Sequence, residues 1–444
     1  MTRTANNAND FLDSTGEAMF GLVRELYPIC RSITGDGVRA TLDILSRRLP
    51  LQRISVPSGT RVFDWEIPAE WNIRDAFVKN ARGERVIDFQ QSNLHVVSYS
   101  TPIHRQMSLQ ELRPHLHTMP LHPDWIPYRT SYYRESWGFC LSQRQLDALE
   151  DGVFEVCIDS QLKAGELLIA ETVLPGAESG EILIWTHICH PSLCNDNLSA
   201  IAVASALVQE VGQWTRRFTY RFVFAPATIG AIAWLSLHPD AASTIRHGLV
   251  LASLGDRGKL TYKRSRRGNA PVDRATDYIL SRSFRGSIED FSPYGYDERQ
   301  FGSPGFDLPI GRMTRTPNGR YPEYHSSADN LDFVEPTAMA ESLRACADIL
   351  MLLERNRTYI NLSPMCEPRL GPRGLLRSTG GRDPSKLEHA LFWVLNQSDG
   401  SKDLLDIALR SDLAFSLIAS AAESLVAAGL LGAAADRHDT TSVR

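Results

Sequence analysis

The stretch that most constrains the fold runs from Glu181 to Gln209, EILIWTHICHPSLCNDNLSAIAVASALVQ. It opens with an apolar run, Ile182 to Thr186, of the length and composition of a buried strand. A short loop follows that holds His187, Cys189, His190, Cys194 and Asp196, and after it comes a long apolar segment of helical period. Asp196 or Asn197 stands where a cap for that helix is expected. Strand, polar loop and capped helix make half of a βαβ unit. In open α/β sheets such loops lie at the carboxyl ends of the strands, where ligands bind. One His beside one Asp would be ordinary loop chemistry. Two imidazoles with an Asp at a helix start are the donors that a divalent ion of zinc type takes.

The same alternation recurs downstream. The strand FTYRFVFAP leads into ATIGAIAWLSLHP, and HGLVLASL leads into GDRGKLTYKRSRRG. PVDRATDYILSRSF reads as helix, and a last helix starts at Pro336 after the His-bearing turn YPEYHSSADN. Together with two N-terminal helices, this predicts a mostly parallel sheet with helices on both faces, built from residues 1–60 and 176–360. Between them, residues 61–175 change texture to short β-branched and aromatic runs such as NLHVVSYS, GVFEVCIDS and GELLIAETVL, the pattern of an inserted all-β domain. From 361 to 444 three short helices suggest a winged-helix module. Its would-be recognition helix, Phe415 to Gly429, carries a Glu and no Lys or Arg, so a packing or dimer role is expected rather than DNA reading.

Composition narrows the function classes. A net charge of −5 argues against general affinity for nucleic acid or anionic membrane. No run reaches the ~18 apolar residues of a membrane span, and the N-terminus lacks a signal-peptide core. Seven scattered cysteines, an odd number without paired metal-ribbon spacing, fit a reducing cytoplasm.

Collecting the polar residues at strand ends gives His187 or His190 with Asp196 after the first strand, Asp256 after the third, and His325 in the turn before the last helix. Two His and two Asp could surround one zinc, or two ions sharing Asp196, in a site for amide hydrolysis. Around it, Arg31 in the joint PICRSITGDG and Arg299 in YGYDERQ could hold a substrate carboxylate, and Tyr294, Tyr296 and Tyr324 could line a pocket. For Arg31 the simpler reading is a helix–helix turn. The dense segment HTMPLHPDWIPYRTSYYRESWGFCLS could wall the pocket or pack its own core.

THICHPSLCNDNLSA, followed by FVFAPATIG, GDRG and YPEYHSSADNLDF, resembles the zinc aminopeptidase superfamily, and more narrowly its bacterial aminopeptidase-like members with an inserted β domain and a C-terminal winged helix. The resemblance runs from ELYPICRSITGDG through PRLGPRGLL. It implies zinc ligands at His187, with His190 as the rival, at Asp196 as the bridging carboxylate, and at Asp256 and His325. It also implies a general-base Glu after the second strand, where this chain has Ala227 between Pro226 and Thr228. Alanine cannot take a proton, and Thr228 offers only a hydroxyl where the superfamily has a second carboxylate ligand. Ala227 would then mark an engineered substitution, a natural pseudoenzyme, or transfer of the base role to Asp297 or Glu298. The expected function is a zinc-dependent, aminopeptidase-type hydrolase of a peptide or small-molecule amide. The alternatives are a non-catalytic zinc-containing binding protein and, with least support, a DNA-binding regulator. Self-association stays open.

Overall fold

The computed structural model describes residues 5–376 and 385–434. The chain divides into two compact units, Met1–Asp348 and Ile349–Arg444. The first is built on an eight-stranded sheet: β1 (Gln52–Pro57), β2 (Glu166–Leu174), β3 (Glu181–His187), β4 (Thr219–Ala225), β5 (Ile245–Leu251), β6 (Thr261–Lys263), β7 (Ser287–Glu289) and β8 (Ile310–Thr314). In space the order is β1-β2-β4-β3-β5-β8-β6-β7. The central strands β4, β3, β5 and β8 run parallel, while β1 and β2 are antiparallel additions at one edge. This is the mostly parallel α/β sheet the sequence pattern predicts. Ile182, Leu183, Ile184 and Trp185 are all buried, which is why the central strand reads as a continuous apolar run rather than an alternating one.

Two local readings are corrected. GELLIAETVL, expected inside the β insertion, forms β2 and pairs with β1 and β4 of the main sheet. Its apolar run is that of a doubly covered strand, and composition alone does not say which sheet such a strand joins. The helix after β3 begins only at Ala200, because 194–199 takes an irregular path with non-helical dihedrals at Asp196 and Asn197. Neither side chain caps it. Asp196 is turned to the histidines instead.

The segment between β1 and β2 carries a four-stranded antiparallel sheet, ordered Arg85–Asp88, Glu70–Lys79, Val153–Lys163, Ile103–Ser108. Its core is not separate: Val156 and Ile158 belong to the same buried cluster as Trp185 and Val223 of the main sheet. In the second unit, helices Lys386–Gln397, Leu404–Ser411 and Phe415–Ala427 accompany a three-stranded sheet of Thr358–Asn361, Asp399–Asp403 and Leu431–Ala433. Three helices and a small β wing make a winged-helix domain. No helix among the described residues is long and apolar enough to cross a membrane.

Candidate active site

β3 ends in His187, which is fully buried. The loop that follows brings Asp196 back beneath it, with His187 Nε2 2.9 Å from Asp196 Oδ1. The other carboxylate oxygen, Oδ2, faces two more imidazoles: His325 Nε2 at 3.1 Å and His190 Nε2 at 3.8 Å. One buried carboxylate is thus shared by three histidines. Side-chain exposure rises from 0% at His187 to 12% at His190 and 33% at His325, so the cluster opens on the His325 side.

The loop is held by Asp329, which satisfies two of its backbone N–H groups, and by its own Asn195 and Asn197, which bond the chain at and beyond the ends of β3 and β5. Asp329 accepts the N–H groups of Asn195 at 2.6 Å and of Asp196 at 2.9 Å. Asn197 donates to Thr186 Oγ1 and the His187 carbonyl, and accepts from the N–H of Ser253. Asn195 donates to Asp256 Oδ2 and accepts from the N–H of Gly255. Buried backbone donors left unpaired are costly, so this accounting fixes where Asp196 points. Asp329 carried no sequence signal of its own. It stands four residues after His325 in an Asx-rich turn, and its partners lie more than 130 residues upstream.

Burial pushes His190 down to about 3 against the pull of Asp196, so the ring is neutral and its nitrogens are free to act as donors to a metal. Burial alone would raise Asp196, yet the surrounding imidazoles hold it well below the usual carboxylate range. His187, His190 and Asp196 place one ligand atom each within 4.8 Å of one another. Nδ1 of His187 is buried without a hydrogen-bond partner. Three imidazoles around one ionised carboxylate fit a zinc-type ion.

Aromatic rings form the walls. Tyr296 stacks on His187 at 4.9 Å and Tyr324 on His325 at 3.9 Å between centroids. From the insertion, Tyr128 meets His190 and His325 edge-on at 5.2 and 5.1 Å. Its N–H donates to the His325 carbonyl at 2.7 Å, and the N–H of Ile126 donates to Ser327 Oγ at 2.9 Å. Tyr128 of the insertion's aromatic segment is therefore a wall of this site, while Trp137 and Phe139 of the same segment pack into the core.

Several expected residues sit elsewhere or do something else. Asp256 does not join the histidines, because both its oxygens are committed to Asn195, Gly258 and Thr316. Arg31 is buried and donates to the carbonyls of His190, Pro191 and Leu26, so it supports the loop from below rather than offering its guanidinium to a substrate. Glu298 is fully buried with Lys263 Nζ at 2.5 Å and Arg312 at 3.5 Å, which leaves it no freedom to serve as a base. Asp297 accepts from Trp185 Nε1 at 2.8 Å, and burial raises its carboxyl to about 7 while nearby His187 opposes the rise. Arg299 is half-buried, and its Nε has no hydrogen-bond partner. Tyr294 is largely exposed. Ala227 and Thr228 line a cavity of about 140 Å³ with Ile33, Trp65, Tyr132 and Tyr133.

Fold and site together define a chain of the zinc-aminopeptidase-like class. Its fold is shared with BSAP, a zinc aminopeptidase from Bacillus subtilis, at TM-score 0.57 and 8% identity over 76% of this chain and 94% of that one. A peptidase M28 precursor from Shewanella amazonensis matches at TM-score 0.54 and 11% identity, over 78% and 97%. More narrowly, the chain belongs to the family described as a domain of unknown function, DUF4910, matched over residues 20–356, and residues 357–433 match a winged helix-turn-helix family. A Clostridium acetobutylicum protein is 48% identical over 421 residues, covering 94% of this chain and 96% of its own; its provisional name is polysaccharide biosynthesis protein with aminopeptidase-like domain. A crystal structure from the same organism, provisionally described as a peptidase, superposes at TM-score 0.90 with 45% identity over 96% of this chain and 99% of that one.

Proposed function

We propose that this chain is an amide hydrolase scaffold of aminopeptidase type that holds a zinc ion through His187, Asp196, His325 and His190 and lacks its general base. The carrying observation is the single buried carboxylate shared by three imidazoles, Asp196 with His187, His190 and His325. Zinc, when bound there, supplies Lewis acidity that polarises a carbonyl and activates water. The chain's own residues orient and enclose. Arg31, Asn197 and Asp329 fix the ligand loop, and Tyr128 and Tyr324 screen the imidazoles from bulk water. On this reading Ala227 stands at the sequence position where the superfamily carries its base, and its methyl group cannot take the proton.

Substrates of this reading are peptides with a free N-terminus or small-molecule amides. The relative's name points to polysaccharide biosynthesis, so amides carried on sugars join the substrates to test. Metal analysis of the purified, tag-free chain should give about one zinc per chain, and His325→Ala should lose most of it. Zinc at background, or unchanged zinc in the variant, refutes the metal reading.

A second reading, a binding protein that keeps the metal and does no chemistry, draws support from the locked state of Glu298 beside Lys263. The two separate on turnover: a pseudoenzyme stays silent when a carboxylate is restored at 227.

A further inference from the structure

The cavity of about 140 Å³ is lined by the insertion and the main fold together. Its buried end is aliphatic: Ile33, from the joint between the first two helices, and Ile229 and Ile232, from the helix after β4. Its exposed end is aromatic. Trp65 and Tyr133, both from the insertion, meet edge to face at 5.2 Å and stay 45% and 51% exposed. Tyr133 is held there at φ 61°, a left-handed conformation that a bulky residue rarely adopts. Two further liners, Tyr132 and Ala227, are each one residue removed from the histidine cluster. The Tyr132 hydroxyl lies 3.0 Å from that of Tyr128, whose ring meets His190 and His325. The Ala227 carbonyl accepts from the Cys189 thiol at 3.9 Å, and that sulfur is 3.7 Å from His190 Nδ1.

This lining selects by chemistry. Among the described residues none of the liners is charged, so an ammonium, guanidinium or carboxylate entering the cavity would be desolvated without a partner. A sugar ring would bury several hydroxyls against a lining in which the Tyr132 hydroxyl and the Ala227 carbonyl already have partners. An apolar group gains by the area it removes from water. Size sets the other limit, since an apolar cavity of about 150 Å³ takes one benzene ring. We propose that the cavity is a substrate pocket for a single uncharged apolar group, an aromatic ring or a branched aliphatic side chain, carried on the amide held at the histidine cluster. The inference rests on the amide-hydrolase reading of that cluster and names its substrate class. All three aromatic liners belong to the insertion, so the preference is set there and not by the α/β sheet alone.

The test is binding of the N-acetylated amides of phenylalanine, leucine, lysine and glycine to the full chain, read by ligand-observed NMR, with methyl glucoside as the sugar probe. Apart from the lysine side chain these probes are uncharged, so the order of affinities reports the pocket. The phenylalanine and leucine amides should bind about tenfold or more tightly than the glycine and lysine amides and the glucoside. Ile232→Phe puts a ring into the buried end and should bring the phenylalanine amide down to the level of the glycine amide. Trp65→Ala removes half of the exposed aromatic pair and should shrink the same advantage part way; being at the surface, it carries the test if Ile232→Phe does not fold. Equal binding of the phenylalanine and glycine amides overturns the proposal, as does a lysine amide or glucoside bound as tightly as the phenylalanine amide. An advantage undiminished in every folded variant overturns it too. Zinc content and released amine are measured on the same samples: their absence refutes the amide-hydrolase reading, and the order of affinities decides the pocket in either case.

Discussion

On the missing-base reading, Ala227 sets what the site can do with a proton. Ala227 lines a cavity of about 140 Å³ shared with Ile33, Tyr132 and Tyr133, so a longer side chain has space there. General-base assistance is worth roughly 10²–10⁴-fold, so Ala227→Glu should raise kcat by about that factor on a peptide or amide library scored by released amine. Zinc affinity should move far less. High, equal rates from both proteins would refute the missing-base reading. Asp329 gives a second test at this scale. It accepts two backbone N–H groups of the ligand loop and is fully buried. Asp329→Ala leaves both donors unpaired, at about 1–3 kcal/mol for each. The urea midpoint should drop accordingly, and a midpoint within error of the unchanged chain would show that the loop finds other partners.

Single residues were unevenly legible. His187, His190, Asp196 and His325 could be collected from the sequence because each lies at a strand end or in a turn, where the α/β rule points to a ligand crevice. Asp297 and Asp329 could not be given their parts, since what they do depends on an indole and on two amides brought near only by folding. Asp256 misled for the converse reason: its position after β5 is that of a ligand, but neighbouring amides and a hydroxyl occupy it.

At the scale of elements, the joint between the first two helices is a brace. Arg31 donates to three backbone carbonyls, two of them in the ligand loop. Lys cannot reproduce that fork. Arg31→Lys should therefore lower the melting temperature and weaken zinc binding, with equal effects on substrates that carry a carboxylate and those that do not. A KM defect confined to carboxylate substrates would return Arg31 to the substrate-binding role its sequence context suggested.

A second brace ties the helix Asp36–Ser46 to the antiparallel sheet through Arg39 and Glu70, with Nη1 2.9 Å from Oε1. The Arg39 hydrogen bond, set against burial, lowers the Glu70 carboxyl. A lowered folded value contributes stability above the unfolded value of about 4.3 and loses it as pH falls through the folded one. Glu70→Gln should then melt below the unchanged chain at pH 7, with the gap closing as the pH is taken below about 4. A gap independent of pH would mean that packing, rather than charge, is lost.

At the scale of the whole molecule, the α/β sheet and the winged helix were readable because each rests on periodicity and turn chemistry. The edge of the insertion was not, since β2 carries the same apolar texture in either sheet. In the winged helix, Phe415–Ala427 carries no Lys or Arg, and its Glu423 pairs with Arg355 at 2.8 Å. Duplex DNA needs phosphate-contacting cations. The full chain should show no salt-dependent shift of duplex DNA, and a shift that weakens with salt would contradict the expected packing role of the module.

The Asp329 clasp on Asn195 and Asp196 also has a consequence for how the protein is made. A ribosome delivers the ligand loop well before it delivers the carboxylate that holds it, and at 5–20 residues per second the delay is on the order of ten seconds. During that interval β3 and its loop exist without the group that aims Asp196. The nascent chain thus passes through a stage with its histidines exposed and its donors unclaimed, and the pocket is sealed only when the turn after His325 emerges.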